Sequence, residues 1–182
     1  MLTFLKYLIQ LILSPASGWE DIERTSPDAE TLTRRGLYPL MAVTALTEFL
    51  AFFYERHASL GEVIMRAVCD FGTYFVSLFI AKLIFDLYLG RLCATRPDQS
   101  RVACLTVCGI GLMVLVQLLC NCLPWNLVLF KFLPVYVVLV LYKAIPYIGV
   151  RKPDAMRFLG LSAAAIVAVP LVIYYLLYLL IQ

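Results

Sequence analysis

Apolar residues along this chain gather into five blocks of bilayer length, at about 36–54, 61–89, 102–123, 125–150 and 157–181. An α-helix rises ~1.5 Å per residue, so about 20 residues cross a hydrocarbon core of about 30 Å. Each block is predicted to be a transmembrane helix. The breaks between them are short and polar: Glu55-Arg56-His57, then 91–101 with Pro97-Asp98, then the tight turn Leu123-Pro124, then Arg151-Lys152-Pro153-Asp154. Asp154 is placed to cap the fifth helix. The fourth block is the most interrupted, carrying Lys131, Lys143, Pro134 and Pro146. A lysine at bilayer depth costs at least ~2.5–3.5 kcal/mol unless a partner or water meets it. The two prolines predict kinks there, as Pro170 does in the fifth block.

Ahead of the blocks, residues 1–13 are apolar except for Thr3, Lys6 and Gln10. At ~100° per residue these three share a narrow stripe, which predicts an amphipathic helix too short to span and suited to the interface. The small-residue run Ala16-Ser17-Gly18 resembles a signal-peptide cleavage zone, but processing there would leave Arg24, Arg34 and Arg35 outside, against the charge bias below. Ser14-Pro15 ends the first helix. Ser17-x-x-Glu20 reads as a capping box for a short turn carrying Trp19 and Ile22. Ser26-Pro27 reads as a second start, with Pro27 in first helical position and Asp28 and Glu30 at the positive dipole end. That helix runs past Arg34-Arg35 into the first span. The chain therefore divides into a cytoplasmic region, 1–35, and a five-helix membrane domain, 36–182.

Composition agrees with the pattern. Apolar residues make up 63% of the 182, charged ones 15%, and mean hydropathy is +0.89. A globule this size cannot bury so much apolar surface, so the fold class is all-α, polytopic, with the lipid bilayer as its first partner. The net charge of +3 is too small to point to nucleic acid; its distribution matters more. Lys6, Arg24, Arg34, Arg35, Arg91, Arg96, Arg101, Arg151, Lys152 and Arg157 fall on one side, while the opposite loops hold only Arg56, with Arg66 just inside a span. The positive-inside rule puts the N-terminus in the cytoplasm and the C-terminus outside. Tyr54, Trp125, Tyr174, Tyr175 and Tyr178 then form an outer aromatic belt.

Orientation sorts the intramembrane charges into two layers. Glu48, Asp70 and Lys131 lie roughly 9–14 Å from the outer ends, and Lys82, Asp86 and Lys143 roughly 4–11 Å from the inner ends. Glu62, Arg66 and Asp70 share one face of the second span. Two readings compete: a polar track for protons or ions, and pairs that fix helix register while Asp86 and Lys143 reach toward headgroups. The second is favoured for the inner layer; the outer layer is balanced between them. Gly160, Ala164 and Ala168 form a small-residue face on the fifth span, suited to close packing within the chain, with a second copy, or with another membrane protein.

Catalytic and metal signatures are absent. The six cysteines follow no zinc or redox spacing, and Cys104 and Cys108 read as packing residues; Cys120 or Cys122 suits a disulfide only if its end faces an oxidising compartment. The single histidine, His57, lies in a loop, and no nucleotide or hydrolase motif occurs. No enzyme activity and no cofactor are expected.

Pro15-x-x-x-Trp19-x-x-Ile22 ahead of the spans, the five helices, and Tyr142-Lys143-Ala144-Ile145-Pro146 closing the fourth together resemble the bacterial branch of the Yip (Ypt-interacting protein) family of five-span membrane proteins. The resemblance implies fold, topology, a bacterial inner membrane as its location and a role in membrane organisation or trafficking. Eukaryotic members bind Rab-type GTPases through an Asp-Leu-Tyr-Gly-Pro motif at the first span. Here Asp86-Leu87-Tyr88-Leu89-Gly90 ends the second span and departs from it, so no GTPase-binding residue carries over. The expected function is a non-enzymatic membrane protein acting by helix packing and partner binding; the alternative is a small transporter or ion-conducting protein using the intramembrane charges.

Overall fold

The computed structural model of the chain describes residues 1–54, 59–92, 98–122 and 132–181. Nearly all of the described residues are helical, with no strand among them. In chain order the helices are α1 (Leu2–Leu13), α2 (Pro15–Thr25), α3 (Ala29–Tyr54), α4 (Leu60–Leu92), α5 (Gln99–Cys122) and α6 (Leu133–Ile148), followed by α7, built from Ala155–Ala163, Ala164–Ala168 and Val169–Ile181. Four stretches are long and apolar enough to cross a membrane: α3, Leu60–Leu89 of α4, α5, and Lys152–Leu177 at α7. The fourth apolar block lies partly outside the described residues, and within them it forms the sixteen-residue α6.

α5 is the centre. In its most apolar stretch 67% of residues are buried, against 28–39% in the other three long helices. Its apolar residues point all round, as expected of a helix enclosed by others, and Leu105, Val107, Cys108, Ile110 and Val114 are fully buried. The outer helices keep one face for the core and leave another to lipid, where Phe79, Leu83 and Leu171 lie exposed.

The N-terminal helices form a hairpin that is part of this bundle. α1 buries Phe4, Tyr7, Leu8 and Leu11, while Thr3 and Lys6 of its polar stripe are exposed. The stripe does not reveal how deeply the opposite face docks. Phe4 fills a slot left open by two glycines: a Cβ on Gly36 would lie 2.5 Å from Phe4 Cγ, and one on Gly111 2.7 Å from Phe4 Cζ. Gly111 is about 18 Å along α5 from Gln99, counting ~1.5 Å per residue, so α1 docks near the middle of the central helix. α2 then returns beside α6. Trp19 is buried and its Nε1–H donates to Val140 O across 2.9 Å. Tyr136 Oη–H donates to Ile12 O at 2.5 Å, and Arg101 bridges Glu23 at 2.6 Å and the Tyr147 carbonyl. Cys104 Sγ–H donates to Pro27 O at 3.1 Å.

Two helices start at other residues than the local sequence signals predict. Pro15 itself opens α2, with Ser14 as its N-cap, so the capping box at Ser17-x-x-Glu20 does not form. Asp28, not a residue ahead of Pro27, is the N-cap of α3: its Oδ2 accepts from Thr31 Oγ1 at 2.7 Å and Thr31 N at 2.8 Å. Those bonds hold its carboxyl below the usual carboxylate range. Pro134 stands in the first turn of α6, where the missing N–H costs nothing. Pro170 is accommodated by widening the helix. The turn Ala164–Ala168 is a π-turn closed by Val169 N–H to Ala164 O, which draws the chain away from the proline ring. Thr33–Leu37 is a second π-turn, closed by Tyr38 N–H to Thr33 O, and it stands in the same register ahead of Pro39.

The Phe4 slot makes a paired prediction. Gly111→Val overpacks it and lowers stability by about 1–3 kcal/mol, whereas Gly160→Val, at a site with nothing within 4 Å, leaves stability unchanged. Thermal unfolding of both variants in detergent measures the difference.

Candidate functional site: a buried carboxyl–amide cluster

One cluster of polar side chains stands where α3, α4 and α5 meet, with Asp70 buried and Glu48, Gln117 and Asn121 half-buried around it. α4 contributes Asp70, only 2% exposed. α5 contributes Gln117 and Asn121, one turn apart and so on one face. Asn121 Nδ2 donates to Asp70 Oδ2 at 3.0 Å and to the Thr44 carbonyl of α3 at 3.3 Å. Gln117 Nε2 donates to Asn121 Oδ1 at 3.0 Å and reaches both Asp70 oxygens at 3.3 and 3.4 Å. Glu48 of α3, at the head of a 3₁₀ turn spanning Glu48–Leu50, stands in hydrogen-bond contact with Asp70.

This arrangement has definite chemistry. A carboxylate only accepts hydrogen bonds, so Asp70 needs donors around it. The two amides supply the donors that the remaining oxygen lone pairs need in the low-dielectric interior. One turn along α4, Thr73 is fully buried, and its hydroxyl has no partner. Ser162 Oγ on α7 is the second such group among the described residues.

The outer layer expected from sequence is thus partly assembled. Glu48 and Asp70 come together, while Lys131 lies outside the described residues. Glu62 and Arg66 pair on the surface of α4, and Asp70 turns away from them into the core. The inner layer does not assemble: Lys82, Asp86 and Lys143 are all exposed, and no ion pair joins them. Gly160, Ala164 and Ala168 are also exposed, so their stripe is unused within the described chain. Cys69, Cys104, Cys108, Cys120 and Cys122 are free thiols. No group of three or more His, Cys, Asp or Glu among the described residues is placed to hold a metal ion.

Gln117 and Asn121 do not stand out in the sequence, because they are neutral and the third span carries no formal charge. Their signal was available: two amides at i, i+4 spacing in an otherwise apolar outer half, on the span beside one carrying an aspartate. No family model, curated protein sequence or solved structure matches the chain.

Removing the acceptor at the centre of the cluster tests it. Asp70→Leu strands amide donors of Gln117 and Asn121 and is expected to cost about 1–3 kcal/mol. Asp70→Asn, which keeps an acceptor, costs less. The pair Asp70→Leu with Asn121→Leu recovers part of the loss, read as a double-mutant cycle in thermal unfolding.

Proposed function

We propose that the chain is a non-enzymatic integral membrane protein of the Yip type, acting by helix packing and partner binding in membrane organisation or trafficking. The observation that carries this reading is the seat of the N-terminal hairpin. Pro15, Trp19 and Ile22, on which the family resemblance rests, are the residues that open α2 and bury it against α6. Ala144 and Ile145 of the second motif are buried about one turn further along α6 from Val140. The short motifs therefore coincide with the joint between hairpin and bundle, as a fold-defining signature would. On this reading the fourth block also crosses, giving five spans with the N-terminus in the cytoplasm and the C-terminus outside the inner membrane. The ten-to-one distribution of loop cations supports that orientation. α1 lies in the cytoplasmic leaflet with Leu2, Ile9 and Leu13 toward lipid, sunk deeper than a surface helix because Phe4 and Leu8 pack on Gly111. A second copy or another membrane protein is the partner class, and the exposed Gly160, Ala164 and Ala168 face is suited to it.

A second reading is favoured by the Glu48–Asp70 contact: a proton-linked transporter in which the carboxyl pair loads and releases a proton. The two separate in proteoliposomes. The packing-and-partner reading predicts no proton flux above protein-free vesicles; flux abolished by Asp70→Asn would replace it with the transporter. Reporter fusions after Gln99 and Gln182 are expected on opposite sides of the membrane. Both on one side would rule out five spans.

A further inference from the structure

At the opposite end of α4 from the carboxyl cluster, a cavity of about 430 Å³ opens between the first turns of α3 and α5 and the last third of α4. Its walls carry Arg34, Lys82, Tyr38 and Glu30, and Ala29 and Ala103 keep it wide. Arg34 and Glu30 are bridged at 2.7 Å, so their charges offset each other. Lys82 has no carboxylate within 4.0 Å among the described residues, which leaves the cavity one net positive charge.

Depth decides what can neutralise it. At ~1.5 Å per residue, Lys82 lies about 33 Å along α4 from Leu60, and Arg34 about 30 Å along α3 from Tyr54. Both therefore stand where a hydrocarbon core of about 30 Å gives way to headgroups. The π-turn ahead of Pro39 includes Arg34 and sets that side chain at the cavity wall. An aromatic rail leads from the cavity toward the bilayer interior. Tyr38 packs on Phe75 at 5.8 Å between ring centroids, Phe75 on Phe79 at 5.0 Å, and Phe75 on Phe71 at 5.9 Å. Phe71, Phe75 and Phe79 are all exposed on the lipid-facing side of α4. A cationic cavity at headgroup level and an apolar rail beneath it match the two halves of one kind of molecule.

We propose that this cavity binds the phosphate headgroup of an anionic phospholipid, with Lys82 and Arg34 on the phosphate, the Tyr38 hydroxyl beside it, and an acyl chain along Phe79 and Phe75. Free phosphate offers the same charge but nothing for the rail. The inference rests on the helices spanning the membrane and is independent of whether the protein works through partners or by proton transport.

Native mass spectrometry of the detergent-purified protein, titrated with dioleoyl phosphatidylglycerol, tests it. The wild-type protein retains the lipid in preference to dioleoyl phosphatidylcholine, and millimolar inorganic phosphate does not displace it. Lys82→Gln and Arg34→Gln each weaken retention roughly fivefold, the scale of one basic residue at a membrane surface. Lys82→Arg restores it, and Lys143→Gln, at an exposed lysine of α6, leaves it unchanged. Phe79→Ala weakens lipid retention with both cations in place. Lys82 and Arg34 are exposed, so their variants fold, which a monodisperse gel-filtration profile verifies. Unchanged retention in the Lys82→Gln/Arg34→Gln double variant, an equal loss in Lys143→Gln, or full displacement by inorganic phosphate would each overturn the proposal.

Discussion

The structure depends on the enclosure of α5, whose residues 104–114 are all buried. Along that stretch each polar group must find its partner within the protein. Thr106 of α5 solves this alone, its hydroxyl donating back to Val102 O at 2.8 Å. Gln117 and Asn121 cannot, and the acceptors they require are supplied by Asp70 of α4 and the Thr44 carbonyl of α3. The carboxyl–amide cluster thus extends the packing of α5 onto α3 and α4, beyond its enclosed stretch. It fixes the rotation and height of three helices against one another, whatever else the carboxyl pair does.

The same enclosure explains the N-terminal hairpin. α5 needs a cover along its middle that α3, α4, α6 and α7 leave open, and α1 provides it through Phe4 and Leu8. α2 then needs an anchor on the way out. It has a sidelong one in the Trp19 bond to Val140 O and a terminal one at Arg101, which joins Glu23 of α2 to the end of α6. Prolines shape the outer helices in turn. Pro39 and Pro170 each follow a widened turn, so a residue that would break a helix in water leaves α3 and α7 continuous.

Much of this was legible from hydropathy alone. Long apolar blocks are unambiguous, and α4 and α5 begin and end within three residues of the expected limits. The docked face of α1 was not legible, because it depends on Gly36 and Gly111, whose missing side chains leave no mark until the helices are brought together. Asp70 was marked out by its charge. Its partners were not, since a neutral amide stands out less than a lysine and pairing depends on helix rotation. The inner layer stays apart for another reason: Lys82 and Asp86 are one turn apart on α4 and Lys143 stands on α6, all exposed and joined by no ion pair. At that depth long side chains reach water or headgroups without needing one another.

Burial of Trp19 between the hairpin and α6 is the point on which this account rests, and the chain has only two tryptophans, Trp19 and Trp125. Fluorescence of the Trp125→Phe protein reconstituted in phosphatidylcholine vesicles reports Trp19 alone. The account predicts a blue-shifted emission that aqueous acrylamide barely quenches. A red-shifted emission quenched as readily as free indole would mean that the hairpin lies away from the bundle, and would contradict it.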